Sequence, residues 1–199
     1  DRIVDRPLAA IGGKGLFTLE LEESLREGRI DFAVHSLKDL PTDQPEGLVL
    51  GAIPLREDPR DALVGSKMNK ALSIGTGSER RKAQLETLAP GAKVLGIRGN
   101  VDTRLRKRDE GGYDAVVLAM AGLNRLGIHR TDIQPLDVDA MIPAPGQGAL
   151  AVQCREGDAE VLGYLSTVHD RETAACVETE RSFLARLGGG CHVAAGCHA

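Results

Sequence analysis

The chain has 199 residues and is 42% hydrophobic, enough for one large domain or two smaller ones, each with a core. Aromatics make up only 3% and tryptophan is absent, so the core must be built from Leu, Val, Ile and Ala, as in parallel α/β sheets. The formal charge of −4 argues against a general nucleic-acid binder, and no apolar run approaches the ~20 residues of a membrane helix.

In chain order, the stretch through Gly12-Gly13-Lys14-Gly15 reads as a mobile loop. A helix is expected over 16–27, with Leu16, Phe17, Leu19 and Leu25 on its apolar side and Gly28 as its stop. Short buried strands are expected at 30–34 and 48–53. The run from Pro54 to Asp61 is dense in proline and charge, which suits a crossover between domains. Beyond it, strands near 72–75, 93–97 and 114–118 alternate with helices near 78–89, 101–110 and 119–126. That alternation implies βαβ units and a mostly parallel sheet. A second hinge, Ile142-Pro143-Ala144-Pro145-Gly146-Gln147-Gly148, leads to a strand at 149–153 and then a long helix at 170–187 ending in Gly188-Gly189-Gly190. Two crossings describe a chain that leaves a first domain, builds a second and returns.

The chain opens without an initiator Met and closes on Gly196-Cys197-His198-Ala199, so further sequence is expected on both sides. Cysteines stand at 154, 176, 191 and 197, too irregular for a disulfide framework, and a reducing compartment is expected.

Three strand ends carry cations. His35-Ser36-Leu37-Lys38-Asp39 follows the first strand, Gly75-Thr76-Gly77-Ser78-Glu79-Arg80-Arg81 a later one, and Arg98-Gly99-Asn100-Val101-Asp102-Thr103-Arg104 a third. In open α/β sheets ligands bind outside the carboxyl ends of strands. Ser78 and Asn100 read as N-caps, and the helices they start offer free N–H groups to an anion. Arg80, Arg81, Arg98 and Arg104 add planar forks suited to carboxylates. Two adjacent arginines at a helix start oppose the helix dipole, a conflict that an anion relieves. The glycine-rich turn lacks the P-loop lysine, so nucleotide binding is weakly supported.

Asp39 has two readings. It is either an acid kept ionised among cations, able to stabilise a cationic intermediate or move a proton, or a partner of Lys38 capping the turn before Pro41. Cys191 has three. It is a thiol brought to a crevice by glycines, with His192 aiding the thiolate; or a small buried hydrophobe at a helix end; or half of a repeated Cys-His pair with Cys197-His198, at a spacing unlike familiar zinc sites. Cys154 and Cys176 read as core.

The ordered set of motifs resembles the hydroxymethylbilane synthases, also called porphobilinogen deaminases. Its landmarks are Gly12-Gly13-Lys14-Gly15-Leu16-Phe17, Val34-His35-Ser36-Leu37-Lys38-Asp39-Leu40-Pro41, Arg56-Glu57-Asp58-Pro59-Arg60-Asp61, Gly75-Thr76-Gly77-Ser78 with Arg80-Arg81, Arg98-Gly99-Asn100-Val101, Ala121-Gly122-Leu123, Gly146-Gln147-Gly148 and Gly189-Gly190-Cys191. The resemblance implies an α/β fold of two periplasmic-binding-protein-like domains joined by two hinges, plus the start of a small α+β third domain. On this chain these become residues 1–54 with 149–166, residues 60–142, and residues 171–199. It implies a dipyrromethane cofactor, one per chain, held by a thioether to Cys191, and no metal. Its reaction joins four porphobilinogen molecules head to tail with loss of ammonia. Asp39 matches the catalytic acid, expected to face pyrrole nitrogens and stabilise the azafulvene cation. Ser36, Lys38, Thr76, Ser78, Arg80, Arg81, Arg98 and Arg104 match groups that hold the cofactor's carboxylates. Arg125, with Lys38, Arg98 and Arg104, matches groups that hold the substrate's.

A cytoplasmic monomer with no nucleic-acid or membrane partner is implied as well. The family's first strand and helix fall before Asp1, most of its third domain falls after Ala199, and residues 65–72 form a shorter connector than the family's usual one. A non-catalytic two-domain binding protein for an anionic small molecule would use the same hinges and strand-end cations, without needing Cys191 or Asp39.

Overall fold

The computed structural model describes residues 16–67, 72–188 and 193–199. The expected Gly12–Gly15 loop, part of the 65–72 connector, and Cys191 with His192 lie outside the described residues. In chain order the elements are α1 (Leu16–Arg26), β1 (Phe32–Ser36), β2 (Leu48–Ala52), β3 (Asp61–Gly65), β4 (Ser73–Gly75), α2 (Glu79–Leu88), β5 (Lys93–Leu95) and α3 (Val101–Lys107). There follow β6 (Ala115–Ala119), α4 (Met120–Arg125), β7 (Ile133–Pro135), β8 (Leu150–Arg155), α5 (Ala159–Ser166) and α6 (Arg171–Arg186).

Local chemistry sets the element ends. Ser78, Asn100, Asp158 and Asp170 each accept a hydrogen bond from the N–H three residues on, capping α2, α3, α5 and α6. Gly28, at φ 68°, ends the turn after α1 in the left-handed region that the sequence required of it. Helix α3 stops short of the expected 101–110, because the chain widens into a turn over Arg108–Gly112 with Gly111 at φ 83°.

The described chain forms two compact units. The central unit comprises residues 58–148 with 193–198. Its five-stranded sheet has the order β5-β4-β6-β3-β7, in which β4 is parallel to β5 and β6. Strand β3 runs antiparallel to both of its neighbours. Strand β3 was not expected: it opens on a charged residue after a proline-rich run, yet all five of its residues are buried. Leu63, Ile74, Leu85, Val117 and Met141 fill one cluster on this sheet, and Val64, Ile97, Val116 and Leu123 another. Each such side chain contributes about 1.5–3 kcal/mol by leaving water.

The N-terminal unit comprises the described residues up to Glu57 and those from Ala149 to Gly188, together with Ala199. Its described sheet has the order β1-β8-β2 and is antiparallel throughout. The mostly parallel sheet expected from the strand–helix alternation is a mixed one in the central unit, because β3 enters it antiparallel between β6 and β7. Helix α5, which the sequence reading did not include, packs Leu165 and Leu162 against Cys154 and Ala52. Helix α6, read as the opening of a third domain, buries Ala174 and Val177 against Leu37, Ile53 and Ala151 of this unit. Arg56 also reaches it, donating from Nη1 and Nη2 to the two carboxylate oxygens of fully buried Glu180 at 2.8 and 3.1 Å. Among the described residues no helix is long and apolar enough to cross a membrane.

Candidate functional site

Because β4, β5 and β6 are parallel, the segments leaving their carboxyl ends emerge at one edge of the central sheet. Those segments carry Thr76–Arg81, Gly96–Arg104 and Met120–Arg125. The first two touch: Thr76 N–H donates to Leu95 O at 2.9 Å, and a Cβ built on Gly77 would stand 2.8 Å from Ile97 O. Thr76 is buried, and its hydroxyl accepts from Ser78 N–H at 3.2 Å. This arrangement fixes the start of α2 and leaves Ser78 half-buried at its cap.

Arg80 and Arg81 do not point to solvent, which changes the expectation placed on them. Both are 5% exposed. Asp61 opens β3 opposite Ala119, at the same sheet edge where α2 begins. Its Oδ1 accepts from Arg81 Nη2 at 2.7 Å and Nε at 3.1 Å, and its Oδ2 lies 2.8 Å from Arg80 Nη2. Arg81 Nη1 donates to Val117 O, and Arg80 Nη1 to Ile142 O. The anion that relieves the dipole conflict is thus a carboxylate of the chain itself. Burial alone pushes the Asp61 carboxyl up, but Arg81 and Arg80, aided by Gln147, outweigh it and hold Asp61 below the ordinary carboxylate value. Two guanidiniums against one carboxylate leave the cluster with net positive charge. Arg80 Nε is buried and has no hydrogen-bond partner among the described residues.

The remaining cations of this edge are more open. Arg98 and Arg125 are exposed and Arg104 is half-buried. Arg104 Nε donates to Gly99 O at 2.7 Å, and Arg125 Nη2 to Gly148 O at 2.8 Å. Arg125 is thereby tied to the end of the second proline-glycine hinge. Gln147 of that hinge is fully buried, and its Nε2 donates to Asp61 Oδ1 at 2.8 Å and to Pro59 O at 2.7 Å. Asp61 and Gln147 were visible in the sequence only as motif letters. An acid at the head of the buried run Ala62-Leu63-Val64 was the signal that it must find cations.

In the N-terminal unit, β1 ends at exposed Ser36, which pairs with Leu150 of β8. A 3-10 turn over Leu37–Asp39 follows. Leu37 is fully buried and its N–H donates to Ala149 O at 3.0 Å. Lys38 is half-buried and Asp39 exposed, so the turn brings its two charged residues out beside a buried anchor. Ser36, Lys38 and Asp39 therefore form one group. Thr76, Ser78, Arg80, Arg81, Arg98, Arg104 and Arg125 form another on the central unit. Among the described residues no group of three His, Cys, Asp or Glu side chains is arranged to hold a metal.

Comparison with known families bears on what these groups serve. Residues 1–163 match the family model "Porphobilinogen deaminase, dipyromethane cofactor binding domain". The chain belongs to the porphobilinogen deaminase family. A porphobilinogen deaminase from Roseiflexus castenholzii is 51% identical over 202 residues, covering 98% of this chain and 67% of that protein. One from Syntrophotalea carbinolica is 50% identical, covering 100% of this chain and 65% of that protein. The chain thus spans about two thirds of the length of these porphobilinogen deaminases. The family match ends before Cys191 and takes in Asp39, Asp61 and the arginines of the central edge. A TRAP periplasmic solute-binding protein from Pseudomonas aeruginosa superposes with a TM-score of 0.43 at 14% identity, over 86% of this chain and 76% of that one.

Proposed function

We propose that the protein carrying this chain condenses four porphobilinogen molecules, with loss of ammonia, into the linear tetrapyrrole hydroxymethylbilane. The observation that carries the reading is membership of the porphobilinogen deaminase family, with Asp39 and the arginine edge inside the matched residues. Each pyrrole brings two carboxylates, so a lengthening chain needs a site rich in fixed cations.

The residues of the central unit suit a polycarboxylate cofactor. The Arg80–Asp61–Arg81 cluster has positive charge to spare, and among the described residues the buried Arg80 Nε has a donor left over. Dipyrromethane, when bound, would supply the terminal pyrrole carbon to which the first substrate is joined. In our reading Arg98, Arg104 and Lys38 hold acetate and propionate groups directly, with Arg125 on the substrate side. Thr76 and Ser78 shape the start of α2, and Ser36 adds a hydroxyl beside the turn. Arg80 and Arg81 act largely through their net charge, being turned inward on Asp61. Cys191 is the tether.

Asp39 does the polar work on the substrate. As the aminomethyl C–N bond breaks, the nitrogen leaves as ammonia and positive charge spreads into the pyrrole. A carboxylate beside the ring N–H stabilises that charge. When the new C–C bond forms, the attacking carbon must lose its proton, and in our reading Asp39 receives it. We propose further that the protein works as a cytoplasmic monomer with porphobilinogen as its small-molecule partner.

Intact-protein mass spectrometry of the full-length protein tests the reading. Two pyrrole units of added mass are expected, absent in Cys191→Ser. Asp39→Ala should keep the adduct and lose nearly all turnover. An active protein without the adduct, or Asp39→Ala with normal turnover, overturns it.

A further inference from the structure

The residues just after Asp39 leave the sheet, so their carbonyls have no strand to pair with and need other donors. One side chain serves three of them. Arg181 of α6 donates from Nη1 to Leu40 O at 3.4 Å, and from Nη2 to Pro41 O at 2.6 Å and Thr42 O at 3.1 Å. Only a planar guanidinium fork presents enough donors, rigidly enough, to hold three consecutive carbonyls.

The rest of the turn is pinned from the other side. Leu37 and Leu40 are buried, and Leu37 N–H is bonded to Ala149 O. Further along, Gln153 of β8 is 1% exposed and its Nε2 donates to Gln44 Oε1 at 3.3 Å. The helix that carries Arg181 is itself fixed next door: fully buried Glu180 takes the two-pronged Arg56, so α6 cannot turn about its axis without breaking that pair. Between these anchors stand half-buried Lys38 and exposed Asp39.

We infer that Arg181 is a positioning residue for the reaction: it sets the direction in which the Lys38–Asp39 turn presents Asp39. The inference rests on the reading of Asp39 given above. It also ties the acid's placement to α6. Leu37 and Leu40 would keep the loop on the protein without Arg181, but would not fix its exit path, because apolar packing is not directional.

The test uses the full-length protein with Arg181→Met, which keeps the apolar stem, and Arg181→Lys, which keeps the charge but not the fork. Misplacing a catalytic group by about 1 Å costs on the order of a hundredfold in rate. Arg181→Met is therefore expected to lower kcat by about 100-fold with KM changed by less than about threefold and the pyrrole adduct mass unaltered. Arg181→Lys should recover roughly tenfold of that loss. A kcat for Arg181→Met within about threefold of the parent, a loss carried wholly by KM, or a loss that tracks a missing adduct overturns the inference. If Arg181→Met does not fold, Arg181→Lys decides alone: a fall in kcat with the adduct intact supports positioning, and an unchanged kcat overturns it. Asp39→Asn is measured in parallel. Normal turnover there would show that the reading of Asp39 itself has failed, whatever the Arg181 variants do, and would take this inference with it.

Discussion

Arg81 Nη2 lies 2.7 Å from Asp61 Oδ1, and the exposures of the two residues are 5% and 0%. Arg80 reaches the other oxygen of the same carboxylate. A buried carboxylate that serves two buried guanidiniums is the keystone of this sheet edge, because neither arginine could be buried alone.

Asp61→Asn keeps the shape and removes the charge. Two guanidiniums would then be buried against a neutral amide. Breaking a buried pair by removing one partner costs about 3–5 kcal/mol. Urea denaturation of the parent and the variant should show a loss of this size with an unchanged m-value. A loss below about 1 kcal/mol would mean that the cluster opens to water in solution.

Two glycines give predictions of opposite sign. A Cβ on Gly77 would meet the Ile97 carbonyl oxygen at 2.8 Å, and a backbone atom cannot step aside cheaply. Gly77→Ala should destabilise by about 1–3 kcal/mol. Gly163 lies inside α5, and a Cβ there meets nothing of the described residues within 4 Å. Gly163→Ala should stabilise by about 0.5–1 kcal/mol, through helix propensity and a less flexible unfolded chain. Thermal and urea midpoints of both variants check the pair, and a shared sign would contradict the packing described for the Gly77 turn.

His35 supplies a pH dependence. Burial pulls its pKa below the ordinary histidine value, against the opposing effects of Gln153 and Glu22. Among the described residues its buried Nε2 has no hydrogen-bond partner. The native state therefore favours the neutral ring, while the unfolded chain takes up a proton near the ordinary value of about 6.5. In that window the unfolded state binds more protons, so stability rises with pH. The contribution is present above the unfolded pKa and is lost as pH falls from there through the folded pKa. Urea midpoints between pH 7.5 and pH 5 should fall with acid in the parent and fall less in His35→Gln. Parallel slopes would mean that His35 is solvated.

Much of the fold was legible in the chain. Ser78 and Asn100 were readable as caps because their side chains act on N–H groups three residues away. The strand–helix alternation of the central unit was legible because β4, β6 and α2 carry their own periodicity and punctuation. Strand β3 was hidden, since its first residue is an acid whose partners stand 19 and 20 positions further along. The turn at Leu37–Asp39 announced its charges but not its clamp. Arg181 is more than 130 residues away from the carbonyls it holds.

By itself, then, the sequence determined the chemistry at hand: which strand ends carry cations, where an acid sits among them, where helices begin, and which family the ordered motifs resemble. Local chemistry and short spacing suffice for that. Only the tertiary structure decided which of those cations are turned inward on a carboxylate of the chain. Arg80 and Arg81 sit at a helix start as the sequence required, but the pairing of β3 with β6 brings Asp61 to meet them. Charges so close in space and so far apart in the chain are joined by sheet register, which no local pattern encodes.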